Sequence, residues 1–494
     1  MIEKLTQAFP RAGRWLPLVC LLALFGIFTV ANLGVFEMLI WDEAEYACLG
    51  RSLARGEGYT APQNADELRP PLLPLSIAAS LLVTGQETDI AAKIPTPLFA
   101  MLAITAVYAF TLHACGVWPA FAAAFCLAVA PEFLTRAEML LSETPFVAFH
   151  TIALGAFLLG FEGRRGWFQV GWAAFALALA TRYTALLFGP TLVLIALYEL
   201  VRGNLASALR TRAFWLSPLW AVAILAPWFY RQWLVYGDAL VGVKRASGQI
   251  PDYNLAVMPW DFYLATLPEA MTWPGAVLGC VGLLYSAWRR RPLGVYAAIA
   301  TLVIIGWHTQ YDFKEVRLVA GAWPLLAIGA GFAVEAWMRA VSNGWPRYAP
   351  AALLVVAAVL SALQVRFVFQ NYWVLGEPSF LDAMAYMKQN TAPDATILGP
   401  NPAQIQWYAD RPAHTIPKEE KDFWTAADGA EWLVLTNFER GQPLYVGKFA
   451  AEVTLTHQMA GDAAEFVDPR FRTLAVRIEL LLRKHGTVTS VDSR

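Results

Sequence analysis

Between residues 16 and 365 the chain alternates long apolar runs with short polar breaks. The runs fall at 16–36, 94–115, 117–134, 145–161, 167–180, 183–200, 214–230, 273–288, 293–307, 318–338 and 349–365. About twenty apolar residues, rising about 1.5 Å each, cross a hydrocarbon core about 30 Å thick. Most of the runs therefore predict membrane-spanning helices, with soft ends where a run is short. Residues 167–200 are too many for one helix, and Thr181, Arg182 and Tyr183 in their middle predict a tight reversal. The first run follows Lys4, Arg11 and Arg14 with no small-residue cleavage site after it, which predicts a retained helix rather than a removed leader.

The apolar stretch 72–83, preceded by Arg69-Pro70-Pro71, is short for a span. Basic residues concentrate in cytoplasmic loops. Here they cluster at the N-terminus, at Arg164-Arg165, at 202–212, at Arg289-Arg290-Arg291 and at 339–347. Putting the N-terminus and Arg164 on one side requires an even number of spans between them. Residues 72–83 are accordingly laid along the outer surface, leaving about eleven spans. Residues 41–93, 135–144, 232–272 and 308–317, the turn at Arg182 and the tail from Leu375 then share the outer side.

The tail has a different pattern. Residues 382–390 read as an amphipathic helix, 395–399 and 432–436 as buried strands, and 405–410 as a short helix between them. The expected architecture is a mainly α polytopic bundle, residues 1–373, followed by a small extracytoplasmic α/β domain, residues 374–494. The expected location is the inner or plasma membrane.

Composition sharpens the membrane reading. Hydrophobic residues make up 57% of the chain and charged residues 15%, with a mean hydropathy of +0.46; soluble domains carry about 25% charged residues. A net charge of -1 gives no sign of a nucleic-acid partner. Cys20, Cys115, Cys126 and Cys280 lie in apolar runs and Cys48 in a polar segment, with no metal-ligand or disulfide spacing.

With so few charges, their places on the outer side are informative. Asp42, Glu43 and Glu45 follow the first span. Asp42 reads either as the cap of a helix starting at Glu43 or as a general base at the membrane surface. Glu143 reads either as a first-turn residue favoured by the helix dipole, with Ser142 as cap, or as a site carboxylate. Arg69, Arg182, Arg231, Lys314 and Arg317 read either as residues reaching to the interface or as phosphate-binding cations. Tyr46, Tyr59, His308 and Tyr311 are the substrate-contact candidates. Interfacial aromatics are also a default belt, and His308 is expected at the surface.

Three segments carry a resemblance: Trp41-Asp42-Glu43-Ala44-Glu45-Tyr46, Gly56-Glu57-Gly58-Tyr59 and Arg69-Pro70-Pro71-Leu72-Leu73-Pro74-Leu75. Together they resemble the start of the polytopic GT-C glycosyltransferases, in the protein O-mannosyltransferase and lipid A aminoarabinose transferase branch. Phe313-Lys314-Glu315-Val316-Arg317, running into Trp323-Pro324-Leu325-Leu326, is similar to a motif of GPI-type mannosyltransferases. The resemblance implies an inverting transferase that uses a polyprenyl-phosphate sugar donor and a lipid, glycan or protein acceptor. It implies no nucleotide site and no cofactor. It makes Asp42, Glu43, Glu45 and Glu143 the catalytic candidates, and Arg69, Arg182, Lys314 and Arg317 the donor-phosphate ligands. Glu45 stands where the aminoarabinose enzymes tend to carry Arg, Glu143 replaces Asp, and Arg69 replaces Lys or His.

Two other classes fit a polytopic chain. A transporter or flippase of lipid-linked sugars would place charges near mid-membrane at broken helices, whereas these carboxylates lie at span ends. An inactive scaffold of an envelope complex would not need Asp42, Glu143 and Arg69 together. The topology predicts that single cysteines at Gln63 and Gly441, in a Cys-free background, react with an impermeant thiol reagent in spheroplasts while one at Gly203 does not. Protection at Gln63 or labelling at Gly203 overturns it.

Overall fold

The structure, a computed structural model, describes residues 11–34, 37, 41–60, 69–249, 257–341, 344–375, 378–436, 443, 445–446, 463–467 and 472–477. Gln63 and Gly441 lie outside the described residues. The chain forms two compact units: Met1–Val35 with Glu67–Asn371, and Phe36–Asp66 with Tyr372–Arg494.

The first unit is a bundle of apolar helices. Among the described residues eight are long and apolar enough to cross a membrane: Gly13–Asn32, Asp89–Cys115, Glu143–Phe161, Tyr183–Val201, Arg212–Tyr236, Pro292–Thr309, Val316–Ala340 and Ala349–Arg366. Two helix pairs, Val117–Ala128 with Pro131–Glu138 bent at 62° and Phe262–Met271 with Trp273–Trp288 bent at 116°, are long and apolar enough only when taken together, and counting each as one span gives ten. The first bend has a local cause. Ala130, held extended before Pro131 at φ -65° and ψ 121°, interrupts the helix. The eleventh expected span is only the 13-residue helix Trp167–Leu179, about 20 Å long and short of a straight crossing. The reversal expected beside Arg182 is present, since a 3-10 turn Tyr183–Leu187 leads into the helix Phe188–Val201. Leu72–Thr84 is likewise a 13-residue helix.

Burial sorts these helices. The hydrophobic window of Val316–Ala340 is 94% buried, against 17% for Arg212–Tyr236. The helix Trp323–Ala340 is therefore the centre of the unit, enclosed by Pro95–Cys115, Val117–Ala128, Trp273–Trp288 and Pro292–Thr309. Peripheral helices turn Leu24, Val222 and Leu302 outward, as expected of surfaces that meet lipid.

Lipid tails give apolar helices no hydrophobic reason to associate, so close packing through small residues must hold them together. The contact of Trp273–Trp288 with Trp323–Ala340 shows how close they come. A Cβ added at Gly282 would lie 1.7 Å from the Gly329 carbonyl oxygen, and one at Gly329 would lie 2.3 Å from that of Gly279.

In the second unit, five strands, β1 (Ile397–Gly399), β2 (Ala413–Thr415), β3 (Trp432–Thr436), β4 (Ala463–Val467) and β5 (Arg472–Arg477), form a sheet in the order β2-β1-β3-β5-β4. β1 runs parallel to β2 and β3, and β5 antiparallel to β3 and β4. Strand alternation separates two apolar layers. Leu398, Leu433 and Leu435 join Phe423 and Ala427 of the helix Glu420–Asp428. Ile397, Trp432 and Val434 join Phe380, Met384 and Met387 of Pro378–Asn390 and Ile405 of Pro402–Ala409. The strands expected at 395–399 and 432–436 and the helices expected at 382–390 and 405–410 all have counterparts here.

Because the Gly282 contact is with backbone, Gly282→Ala must push two central helices apart. It should cost about 1–3 kcal/mol, as overpacked cores do, read as a lowered unfolding temperature of the purified protein. Gly306→Ala, where nothing lies within 4 Å of the added Cβ, is the control and should melt like wild type. Equal melting of the two variants would contradict the packing.

Candidate functional site

In the first unit the expected residues collect at one set of helix ends. Glu143 opens the helix Glu143–Phe161, where the dipole favours a carboxylate. Ser142 occupies the cap position but makes no capping bond. Its Oγ instead accepts from Arg182 Nη1 at 3.2 Å. The same nitrogen donates to Glu143 Oε1 at 2.6 Å, with the Glu143 side chain 1% and the Arg182 side chain 18% exposed. Two residues assigned separately from sequence, one as a carboxylate and one as a phosphate ligand, are thus one ion pair. A charge-assisted bond of this length fixes the guanidinium in place, and its other N–H groups make no hydrogen bond among the described residues.

The Pro-Pro-Leu motif meets the same turn. Leu72 N–H donates to the Ala180 carbonyl at 2.9 Å, which brings the start of Leu72–Thr84, just after half-buried Arg69, to the turn that carries Arg182. His308 is near enough to feel the Arg182 charge. It is not the surface histidine expected from sequence. The helix Pro292–Thr309 extends to include it, leaving it buried with its Nδ1 2.8 Å from the Ile304 carbonyl. Tyr311 lies beyond the helix end, half-buried.

Lys314 and Arg317 have defined partners. Lys314 is buried, and its ammonium donates to the Met258 carbonyl at 3.0 Å and to that of Tyr311. Arg317 pairs with Glu315. The 3-10 turn Val316–Ala322 packs against Glu143–Phe161 and Pro292–Thr309, so Arg317 belongs to the same cluster of helix ends. Arg231 stacks over Trp228, at 5.5 Å to the ring centroid, and Trp228 donates to the Tyr183 hydroxyl. Sequence reasoning gave Glu138 no role, yet it is buried with neither carboxyl oxygen hydrogen-bonded among the described residues. Lys93, also buried, acts on it electrostatically.

In the second unit, Asp42, Glu43, Glu45 and Tyr46 lie on the helix Trp41–Arg55. Because that helix begins at Trp41, Asp42 sits in its first turn and does not cap a helix starting at Glu43. Glu43 and Tyr46 are buried, and Asp42 and Glu45 half-buried. Asp42 and Tyr46, four apart, share a face, with Glu43 turned about 100° away. The chain leaves this helix through Gly56, φ 77°, whose left-handed conformation closes the last turn before Tyr59.

A different face anchors the helix. Cys48 Sγ donates to the Ala403 carbonyl at 3.3 Å, and burial pushes its thiol up to about 12. Arg51 donates to the Gln406 and Trp407 carbonyls at 2.6 and 2.9 Å and stacks on the Trp407 ring, satisfying the last turn of Pro402–Ala409. Arg55 pairs with both Asp410 oxygens at 3.0 and 3.1 Å. Sequence reading missed this anchor; its one signal was the spacing of Cys48, Arg51 and Arg55, which puts three polar-tipped residues on one helix face.

Family and structural comparisons fit this architecture. Residues 68–231 match the sequence family described as dolichyl-phosphate-mannose-protein mannosyltransferase. No curated protein sequence matches significantly. The crystal structure of ArnT from Cupriavidus metallidurans bound to undecaprenyl phosphate is similar at a TM-score of 0.72 and 16% identity, covering 98% of this chain and 100% of that one. The archaeal oligosaccharyltransferase AglB from Archaeoglobus fulgidus, in complex with an inhibitory peptide and a dolichol-phosphate, is similar at a TM-score of 0.59 and 12% identity, covering 84% and 69%.

The anchor responds to pH in a definite direction. Burial raises the Asp410 carboxyl, but its bond from Arg55 and the nearby Arg51 charge outweigh that and leave it below the ordinary value of 3.8. A lowered carboxylate stabilises the fold above its unfolded value, and the contribution is lost as pH falls through the folded one. Asp410→Asn should therefore lower stability at neutral pH by up to about 1 kcal/mol, discounted because the pair is partly exposed. The gap from wild type should close well below pH 4 in thermal melts; a gap constant with pH rejects the linkage.

Taken with the apolar helices and their packing, the full-length similarity shows an integral membrane protein with the fold of the GT-C polytopic membrane glycosyltransferases.

Proposed function

We propose that the protein is an inverting glycosyltransferase that moves a sugar from a polyprenyl-phosphate donor to a lipid, glycan or protein acceptor at the outer membrane face. The observation that carries this reading is similarity over essentially the whole of both chains to a structure holding undecaprenyl phosphate. The Glu143–Arg182 pair and the basic residues at the same helix ends support it. The reading puts the second unit, including the domain from residue 374, outside the cytoplasm.

The chemistry assigns the roles. Asp42 takes a proton from the acceptor hydroxyl or amine as that atom attacks the anomeric carbon. The anomeric C–O bond breaks on the opposite face, and polyprenyl phosphate leaves with the bonding electrons. Inversion needs one displacement and no covalent intermediate. Arg69, Arg182, Lys314 and Arg317 stabilise charge building on the leaving phosphate, best where they are held in place beforehand. Glu143 holds Arg182 in orientation and contacts sugar or acceptor hydroxyls. Glu45 and Glu43 support Asp42, and Tyr46, Tyr59, His308 and Tyr311 contact substrate.

Purified protein assayed with a panel of polyprenyl-phosphate sugars tests this. Asp42→Asn should retain donor binding and lose turnover by about 10²–10⁴-fold, as loss of a general base does, while Glu45→Gln loses less. Wild-type turnover by Asp42→Asn, or a larger loss in Glu45→Gln, rejects Asp42 as the base. No transfer by the wild-type protein from any donor in the panel rejects the function.

A further inference from the structure

We propose that Arg289, Arg290 and Arg339 form a binding site for the phosphate of an anionic membrane lipid, at the helix ends opposite the candidate site. Trp273–Trp288 and Trp323–Ala340 finish there, whereas Pro292–Thr309 begins there and runs toward His308. A cavity of about 400 Å³ is lined by Tyr285, Trp288, Arg289, Arg290, Arg291 and Arg339. None of these residues is acidic.

The arginines divide into anchored and available. Arg291 donates to Glu335 and to the Ala114 carbonyl, both at 3.0 Å, and Arg339 donates to Glu335 at 2.6 Å. One carboxylate thus serves two guanidinium groups. Arg289 and Arg290 make no ion pair among the described residues, and Arg289 lies 5.8 Å from the Trp288 ring centroid. The cavity therefore holds a surplus of positive charge in a fork-shaped form suited to phosphate oxygens.

Backbone geometry points the same way. Arg291 N–H bonds the Ser286 carbonyl and Arg290 N–H the Ala287 carbonyl, closing the helix in a Schellman motif with Arg290 at φ 54°. Glycine is the usual occupant of that left-handed position. The same pair of bonds closes the helices before Gly56 and Gly163, and there a glycine stands at φ 77° and 100°. A merely cationic loop has no need of an arginine at the one strained position.

The expected occupant is a lipid headgroup rather than a free anion, because the cavity adjoins a lipid-facing surface. Trp288 and, one turn earlier, Leu284 are exposed by 77% and 73%. An indole there sits at headgroup level, and basic pockets between membrane helices suit anionic headgroups.

The test titrates the full-length purified protein in detergent with phosphatidylglycerol, phosphatidylcholine or inorganic phosphate, followed by native mass spectrometry and thermal melting. Phosphatidylglycerol should bind and raise the melting temperature, and the other two should not. Arg290→Gly should weaken phosphatidylglycerol about fivefold, and Arg289→Gln with Arg290→Gly roughly 25-fold, at about fivefold per arginine. Without lipid, Arg290→Gly should melt at or above the wild-type temperature, since glycine relieves the backbone. Wild-type affinity in the double variant overturns the site. Equal binding of phosphatidylcholine or of inorganic phosphate overturns the lipid assignment. A lower lipid-free melting temperature for Arg290→Gly overturns the claim that Arg290 is kept for binding.

Discussion

Hydrocarbon offers a backbone N–H or carbonyl no partner, so a chain crossing it must satisfy those groups within its own helices. The same solvent gives apolar helices no reason to cohere except close packing. In this protein both demands meet in the helix Trp323–Ala340, whose buried surface lets Gly279, Gly282 and Gly329 bring two backbones nearly into contact. With its middle committed to packing, the bundle has room for charge chiefly at the helix ends.

Those ends are chemically different. One carries acids and bases together: Glu143 against Arg182, Glu315 against Arg317, and Lys314 tied to carbonyls. Such mutual pairing holds cationic groups in place without extra flexibility, which suits a reaction that builds charge on a leaving phosphate. At the other end Arg289, Arg290, Arg291 and Arg339 gather with Glu335 as the shared carboxylate of two of them. The two ends thus hold their cations differently, one by pairing within the cluster and the other with a surplus of positive charge among the described residues.

In the second unit the helix Trp41–Arg55 uses opposite faces for different purposes. Cys48, Arg51 and Arg55 attach it to the end of Pro402–Ala409, so the acidic residues of its first turn sit on a rigid element. Backbone carbonyls at a helix end and a bidentate carboxylate make this attachment directional.

The sequence alone was enough to establish a polytopic membrane protein, because run length and scarcity of charge are set by the bilayer, not by the fold. It also located β3 at Trp432–Thr436, the reversal beside Arg182, and the residues worth watching. Bends were less legible. Run length reads the break at Pro131 as one continuous span, because apolar composition does not record helix direction. Only the tertiary structure decided which residues pair. Glu143 with Arg182 and Arg55 with Asp410 are far apart in sequence, and helix periodicity describes each element only by itself. His308 shows the same limit: its place near a polar segment suggested exposure, but its helix runs two residues past the apolar run and the packing around it made it a buried residue.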